Sequence, residues 1–219
     1  RIIELLGIIA LFIVATPALN RIVEWNEAMN LPEALYNIEQ WMRQQENAAT
    51  KITEQILQVN SFSHFLAVIF GIGILTGIGE EMIFRGVLQR IVQDKNHRAH
   101  VAVWICAFLF SAIHLQFYGF IPRLLLGAFF GYLLVWSKNL WLPIFAHLFN
   151  NSTVACISYF TNDKSPDNLI ETVGTSGSPT SWLAGASLIG TVILLYVLYK
   201  KVFVSKSKEF FPMEDKITP

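Results

Sequence analysis

Six apolar stretches, each close to the length of a membrane-crossing helix, constrain the fold of this chain more than any other feature. A hydrocarbon core of about 30 Å is crossed by roughly 20 apolar residues in a helix. Lipid leaves exposed backbone groups without hydrogen-bond partners, so only helices and closed barrels span it. The stretches lie at 2–19, 62–79, 99–118, 121–137, 140–160 and 182–204. They predict an all-α, polytopic transmembrane helical bundle with about six membrane spans.

The composition agrees with a membrane protein and excludes other classes. Of the 219 residues, 53% are hydrophobic and only 15% are charged, which is too apolar for an ordinary soluble domain. The 16 basic and 16 acidic residues include no Lys/Arg-rich block, so nucleic acid is not an expected partner. Cys106 and Cys156 both lie in apolar stretches, which indicates small buried side chains rather than disulfides or a thiolate metal cluster.

The polar stretch 20–61 separates the first two predicted spans. Its apolar residues at Leu31, Leu35, Ile38 and Met42 follow helical spacing, which predicts one or two amphipathic helices outside the membrane. We therefore expect a single membrane domain over 1–219. Its parts would be the extramembrane insert 20–61, a core at 62–156 that carries the candidate site, and a cytoplasmic tail at 205–219.

Lysines and arginines in the short loops predict the orientation. When six spans alternate, one side receives the basic residues at 85–98, Lys138 and the lysines at 200–208. The other side receives Arg123, the insert 20–61 and the loop 163–179. By the positive-inside rule the first side is cytoplasmic, so both termini should be cytoplasmic in a multi-pass protein, placed in the cell or inner membrane of a prokaryote. The start at Arg1 does not resemble a signal peptide, since no small-residue cleavage site follows cleanly.

The pair Glu80-Glu81 lies at the end of the second apolar stretch, where ionisable residues need a reason. At 100° per residue, Glu81 and Arg85 share one helix face, whereas Glu80 points about 140° away from Arg85. We therefore expect Glu81 to pair with Arg85 and Glu80 to stay free. A buried free carboxylate suits a general base near neutral pH. The alternative is that Glu80-Glu81 simply marks a cytoplasmic helix end, with Arg85 and Arg90 as solvated charges.

Two histidines and an asparagine lie in other apolar stretches. His114 is in the third stretch, and His147 is in the fifth, with Asn151 one helical turn further on. Either histidine alone would more often be an interhelical hydrogen-bonding group. Together with Glu80 they place scarce polar residues on three separate spans, where unpaired polar groups are costly. Convergence on one cavity is the simplest explanation.

These residues form motifs in a fixed order: Glu80-Glu81-xxx-Arg85, Phe110-xxx-His114, Gly127-xxx-Gly131 and His147-xxx-Asn151. The set resembles that of the CAAX-protease and bacteriocin-processing family, the Abi family of intramembrane endopeptidases. The resemblance covers about 62–156 and leaves out the first span, the insert and the tail. The glycine pairs Gly73-xxx-Gly77 and Gly127-xxx-Gly131 also predict close helix packing.

The resemblance implies peptide-bond hydrolysis in the membrane, with a peptide or membrane-protein substrate and the lipid bilayer as partners. In the related type II CAAX prenyl endopeptidases, the first Glu and first His are thought to activate water. The second His and the Asn are thought to hold the oxyanion. Carried over, Glu80 and His114 activate water, while His147 and Asn151 stabilise the oxyanion and Glu81 and Arg85 support the site.

Two questions stay open at this point. Glu80, His114 and His147 also form a His₂Glu set like that of zinc hydrolases, although no HExxH helix is present. A metal-free mechanism is favoured, with Zn²⁺ as the alternative.

The second question is whether the chain is an enzyme, or instead a membrane scaffold or immunity-type protein that binds a peptide. A transporter with the buried Glu as proton relay is a third reading, although the two halves show no obvious repeat.

Overall fold

The computed structural model describes residues 2–96, 98–161 and 172–200, and throughout these ranges the regular structure is helical. Seven long helices are found there, with α3 continuous over 62–96. The others are α1 Ile2–Glu27, α2 Tyr36–Leu57, α4 Ala99–Ala112, α5 Phe120–Ser137, α6 Trp141–Thr161 and α7 Leu183–Val197. This architecture confirms the predicted polytopic helical bundle. The predicted tail 205–219, the end of the last span at 201–204 and part of the loop 163–179 lie outside the described residues.

Four of the described helices are long and apolar enough to cross a membrane, fewer than the six predicted. They are Ile2–Glu27, Phe62–Gln93, Phe120–Ser137 and Leu183–Lys200. Helix α4 is apolar but only 14 residues long. Helix α6 has 21 residues but is not among the four, since polar residues interrupt it at 147 and 150–153.

Three predicted helix ends were wrong. Helix α1 continues beyond residue 19 to Glu27, because its polar last turns bind backbone carbonyls of another segment. Asn20 and Arg21 donate hydrogen bonds to the carbonyls of Val173 and Gly174, at 2.9 and 3.0 Å. The insert predicted at 20–61 therefore begins later, and most of it is the single helix α2.

Helix α3 does not end at Gly79. It passes through Glu80 and Glu81 and continues to Asn96, with two wider π-helical segments at Ile69–Leu75 and Met82–Leu88. π-Helical turns are rare and often occur at functional sites. The pair Glu80-Glu81 thus lies between them, deep within a long helix rather than at its end.

Helix α4 ends at Ala112, before the predicted limit at residue 118. The Nδ1 atom of His114 lies 2.7 Å from the carbonyl oxygen of Phe110, which the next helical N–H would otherwise occupy. The backbone N–H of His114 instead reaches the carbonyl of Ser111 at 3.4 Å. Leu115 then adopts a left-handed conformation with φ 53°. The turn 113–119 follows and leads into α5.

Polar contacts concentrate at one end of the bundle, here called the insert end. This end contains the last turns of α1, helix α2, the turn 113–119 and the segment 172–182. Examples are the bonds that join Asn26 to Phe117 at 3.1 Å and the Ser176 backbone N–H to Glu24 at 2.8 Å. A buried apolar cluster in the bundle joins α1, α5, α6 and the last helix, and it includes Ile8, Phe130, Leu142 and Leu198.

Candidate active site

A fully buried ion pair lies at the centre of the polar cluster. The Nη1 atom of Arg85 donates to Oε1 of Glu81 at 2.9 Å, and both side chains have 0% exposure. The predicted pairing of Glu81 with Arg85 is confirmed, and the reading of these residues as solvated charges is excluded. A buried charge is tolerated when it is paired and hydrogen-bonded.

Arg85 is held by a second helix as well. Its Nη2 atom donates to the carbonyl oxygen of Gly127 at 2.7 Å. One turn further along each helix, Nε2 of Gln89 donates to the carbonyl of Gly131 at 3.2 Å. The missing Cβ atoms of the two glycines let α3 and α4 approach α5, since a Cβ on Gly131 would lie 3.0 Å from Gln89 Oε1. The predicted packing role of Gly127-xxx-Gly131 is therefore observed.

Gln89 was not predicted as part of the site, although its spacing from Glu81 and Arg85 places it on their helix face. Glu81, Arg85 and Gln89 recur every four residues in α3 and so share one face of a helix. All three are buried at 1% exposure or less. The period of four in α3 matches the period of four between Gly127 and Gly131.

His147 joins the ion pair from α6. Its Nδ1 atom lies 2.8 Å from Oε1 of Glu81. Because an ionised carboxylate only accepts hydrogen bonds, Nδ1 must carry a proton. The other ring nitrogen, Nε2, then accepts a hydrogen bond in the neutral ring and donates one in the doubly protonated ring. It faces Glu80, whose Oε2 atom lies 3.8 Å away.

Glu80, unlike its neighbour Glu81, makes no hydrogen-bonded ion pair with the described residues. Its side chain is 27% exposed, yet its Oε2 atom is buried and has no hydrogen-bond partner among the described residues. A buried carboxylate oxygen without a donor is unusual in a folded protein. The gap of 3.8 Å to His147 Nε2 is longer than a hydrogen bond. The predicted free state of Glu80 therefore agrees with the geometry.

Aromatic rings surround the buried charges. The ring of Phe130 stacks on His147 with centroids 5.1 Å apart, and the guanidinium of Arg85 lies 4.8 Å from the ring centroid of Phe110. Phe130 was not identified from sequence, because nothing distinguishes a phenylalanine beside a functional ring from any other apolar residue of a span. The rings exclude water from the ion pair, which strengthens its electrostatic interactions.

His114 approaches the same aromatic cluster from the turn 113–119. The Phe110 ring packs edge-on against both histidines, at 5.2 Å from His114 and 5.7 Å from His147. On predicted full-length spans, Glu80 and His114 would have been separated in depth. With α3 continuing past Gly79 and α4 ending at Ala112, both histidines border the Phe110 ring.

Asn151 lies one turn beyond His147 and contacts α3. Its Nδ2 atom donates to the carbonyl of Ile72 at 3.2 Å, and its Oδ1 atom accepts from Nδ2 of Asn150 at 3.3 Å. The amide is thus oriented by two partners, with its second N–H hydrogen still available to another acceptor. Asn150 therefore helps to orient the Asn151 amide.

The second glycine pair forms the contact between α3 and α6. A Cβ on Gly77 would lie 3.2 Å from the backbone nitrogen of Leu148, and one on Gly73 would overlap the Ser152 hydroxyl. Close approach of the two backbones brings His147 and Asn151 against α3. The predicted packing role of Gly73-xxx-Gly77 is observed as well.

Among residues 2–96, 98–161 and 172–200, no group of three His, Cys, Asp or Glu side chains is arranged to hold a metal ion. Glu80, His114 and His147 therefore do not form a preformed zinc site here. Cys106 and Cys156 are free thiols; Cys106 is buried, as predicted, whereas Cys156 is only half-buried.

Comparisons with known proteins agree with the motif set. Residues 62–153 match the family model described as Type II CAAX prenyl endopeptidase Rce1-like. The uncharacterized protein YpbD of Bacillus subtilis (strain 168) is 29% identical over 109 residues, which are 48% of this chain and 51% of that protein. The chain thus spans about half the length of the curated relative it matches. No solved structure matches the chain.

The matched range contains every residue of the cluster, from Glu80 in α3 to Asn151 in α6. Four helices of spanning length and this match together indicate an integral membrane protein. The segment 62–153 is thus similar to the Rce1-like type II CAAX prenyl endopeptidases.

Proposed function

We propose that this chain is an intramembrane endopeptidase that hydrolyses peptide bonds of membrane-associated peptides or protein tails. The observation that carries the proposal is the unpartnered Oε2 atom of Glu80, which faces His147 beside a fully buried ion pair. Buried ionisable groups clustered in a polar site of this kind are typical of active sites. The family match over 62–153 supports the reaction class.

In this mechanism Glu80 accepts the proton of a water molecule that attacks the carbonyl carbon of the scissile bond. His114 assists by a hydrogen bond to the same water. The proton taken up by Glu80 then passes to the leaving amine as the carbon–nitrogen bond breaks. An ionised carboxylate can take up the proton in the first step and return it in the second.

His147 and Asn151 stabilise the negative oxygen of the tetrahedral intermediate. His147 donates from Nε2 in its doubly protonated form, because Nδ1 is already bound to Glu81. Asn151 donates with the Nδ2 hydrogen that its bond to Ile72 leaves available. Oriented donors of this kind in a site shielded from water contribute strongly to catalysis.

The proposed mechanism needs no metal, since the residue set contains its own base and its own oxyanion donors. Elemental analysis should find clearly less than one zinc per chain, and activity should survive prolonged chelation. Stoichiometric zinc, with activity lost on chelation and restored by Zn²⁺, would contradict the metal-free mechanism.

A peptidase assay in detergent tests the proposed function. Membrane-associated peptides that differ in their C-terminal sequence and lipidation are incubated with the wild-type protein and with Glu80→Gln. Cleavage by the wild type alone supports the enzyme. Tight peptide binding by both proteins without cleavage by either would indicate the scaffold or immunity-type protein.

A further inference from the structure

The turn 113–119 carries His114, yet it contains an unfavourable backbone conformation. Leu115 has a positive φ of 53°, which is uncommon for a residue with a bulky side chain. Conformations of this kind persist when surrounding contacts determine them. Two bonds come from nearby in the chain, since Ser111 donates to the Phe120 carbonyl at 2.8 Å and Arg123 to the Gln116 carboxamide at 2.6 Å.

Asn26, in the last turn of α1, fastens the turn from outside the matched range. Its Nδ2 atom donates to the carbonyl of Phe117 at 3.1 Å, and its Oδ1 atom accepts from the backbone N–H of Ile121 at 2.8 Å. The side chain is only 3% exposed. One buried amide thus joins the end of the turn to the beginning of α5.

Helix α2 fastens the same turn from a second direction. The Oε2 atom of Glu46 accepts the backbone N–H of Tyr118 at 3.0 Å. Arg43 lies over the Tyr118 ring at 4.5 Å from its centroid, and Trp41 packs against Phe117 at 5.3 Å. Arg43 is itself held by Glu39 at 2.7 Å, and this hydrogen bond lowers the pKa of the Glu39 carboxyl.

These contacts account for the position of α2. None of its residues is buried, and Tyr36, Ile38 and Ile52 are exposed, so the helix contributes little to the core. Three side chains near its middle, at positions 41, 43 and 46, contact residues 117 and 118. Contacts of this kind, made by a helix with no buried residue, are better suited to orienting the turn than to stabilising the bundle.

We propose that Asn26 and Glu46 are positioning residues that hold the turn 113–119 so that His114 meets the Phe110 ring beside Glu80 and His147. Both belong to the N-terminal segment before residue 62, outside the range shared with the family. The proposal rests on the proposed function, because it assigns these residues to the geometry of His114. The insert thereby becomes part of the catalytic apparatus without touching the substrate.

Steady-state kinetics of single variants test this proposal. Glu46→Ala removes the acceptor for the Tyr118 N–H and should lower kcat about tenfold. Asn26→Asp cannot donate to the Phe117 carbonyl, so His114 should be misplaced and kcat should fall on the order of 10²-fold. KM should change less than about twofold in both. Glu46→Gln keeps an acceptor oxygen and should restore the wild-type kcat. Asn47→Ala and Glu54→Ala, at exposed positions of the same helix, are the matched controls.

Hydrogen exchange provides a readout that does not depend on activity. The amide of Tyr118 should exchange faster in Glu46→Ala than in the wild type, and that of Ile121 should exchange faster in Asn26→Ala, because each variant removes the oxygen that accepts that N–H. Glu46→Gln and both controls should exchange at the wild-type rate. If exchange in Glu46→Ala and Asn26→Ala, and kcat in Glu46→Ala and Asn26→Asp, equal those of the controls, the positioning role is wrong.

His114→Ala separates this proposal from the function on which it rests. If His114→Ala loses activity while Glu46→Ala and Asn26→Asp keep the wild-type kcat, only the positioning role is overturned. If His114→Ala retains full activity, or the wild type cleaves no peptide, the proposed function itself is wrong. Loss of kcat in Glu46→Ala with recovery in Glu46→Gln is the result that we expect.

Discussion

Glu80 and Glu81 are adjacent in sequence and occupy different chemical environments. The rotation of a helix was enough to predict that Glu81 faces Arg85 while Glu80 does not. The second partner of Glu81 could not be predicted in this way, because His147 lies 66 residues away on another helix. The same holds for the Gly127 carbonyl that binds Arg85. Local geometry fixes partners within one helix, and only packing determines partners between helices.

Substitution of Glu81 should affect the whole cluster. Glu81→Gln removes the charge that balances Arg85 and the acceptor that orients His147, both at buried positions. Breaking a buried pair by neutralising one partner costs about 3–5 kcal/mol, so we expect a lower free energy of unfolding as well as lower activity. Thermal unfolding in detergent measures the first effect. If combining Glu81→Gln with Arg85→Ala recovers none of the summed loss, the two residues do not act as a pair.

Asn151 provides a separate test of oxyanion stabilisation. Asn151→Ala removes the proposed donor and should lower kcat by roughly 10²–10³-fold. Asn150→Ala removes only one of the two bonds that orient the Asn151 amide, so its effect should be smaller. A loss below about tenfold in Asn151→Ala would indicate that its bond to Ile72 is structural and that another donor serves the oxyanion.

The helices themselves were predictable from apolar runs, and their ends were not. Helix α3 continues past Gly79 because Glu81 and Arg85 turn inward to partners, where solvated charges would have ended the span. Helix α4 ends at Ala112 because the His114 ring takes the carbonyl of Phe110. Both ends depend on side-chain bonds that hydropathy does not record. In the resulting fold, His114 and His147 border the same Phe110 ring.

Close packing of α3 against α6 can be tested at Gly77. Gly77→Ala places a Cβ 3.2 Å from the backbone of Leu148, which must move, and His147 moves with it. A shift of about 1 Å at a catalytic group can cost 10²-fold in rate. The control is Gly71→Ala in the same helix, where a Cβ would meet nothing within 4 Å. Equal activity of the two variants would show that the close approach is not needed.

At the scale of the whole molecule, the insert end brings together polar residues of α1, α2, the turn 113–119 and the segment 172–182. Glu24, Asn26, Glu46 and Ser176 bond to one another or to the turn 113–119. Which end faces the cytoplasm follows only from the positive-inside rule. The number of spans was harder to predict, because polar residues make α6 less apolar than the four candidate spans and because α4 has only 14 residues.

Cysteine labelling tests this orientation. In a background without Cys106 and Cys156, single cysteines at Asn47 and Ser176 should react with an impermeant reagent added outside the cell. A cysteine at Asn96 should react only after permeabilisation, because the neighbouring basic residues retain that end in the cytoplasm. Labelling of position 96 from outside would invert the orientation.

The central claim is that Glu80 is the base of a membrane endopeptidase while its neighbour Glu81 maintains the structure. The turnover of Glu80→Gln, measured beside wild type on a cleaved peptide in detergent, tests that claim most directly. The amide has nearly the same shape but cannot accept the proton, so kcat should fall by about 10²–10⁴-fold with an unchanged unfolding temperature. Hydrolysis by Glu80→Gln at close to the wild-type rate would contradict the account.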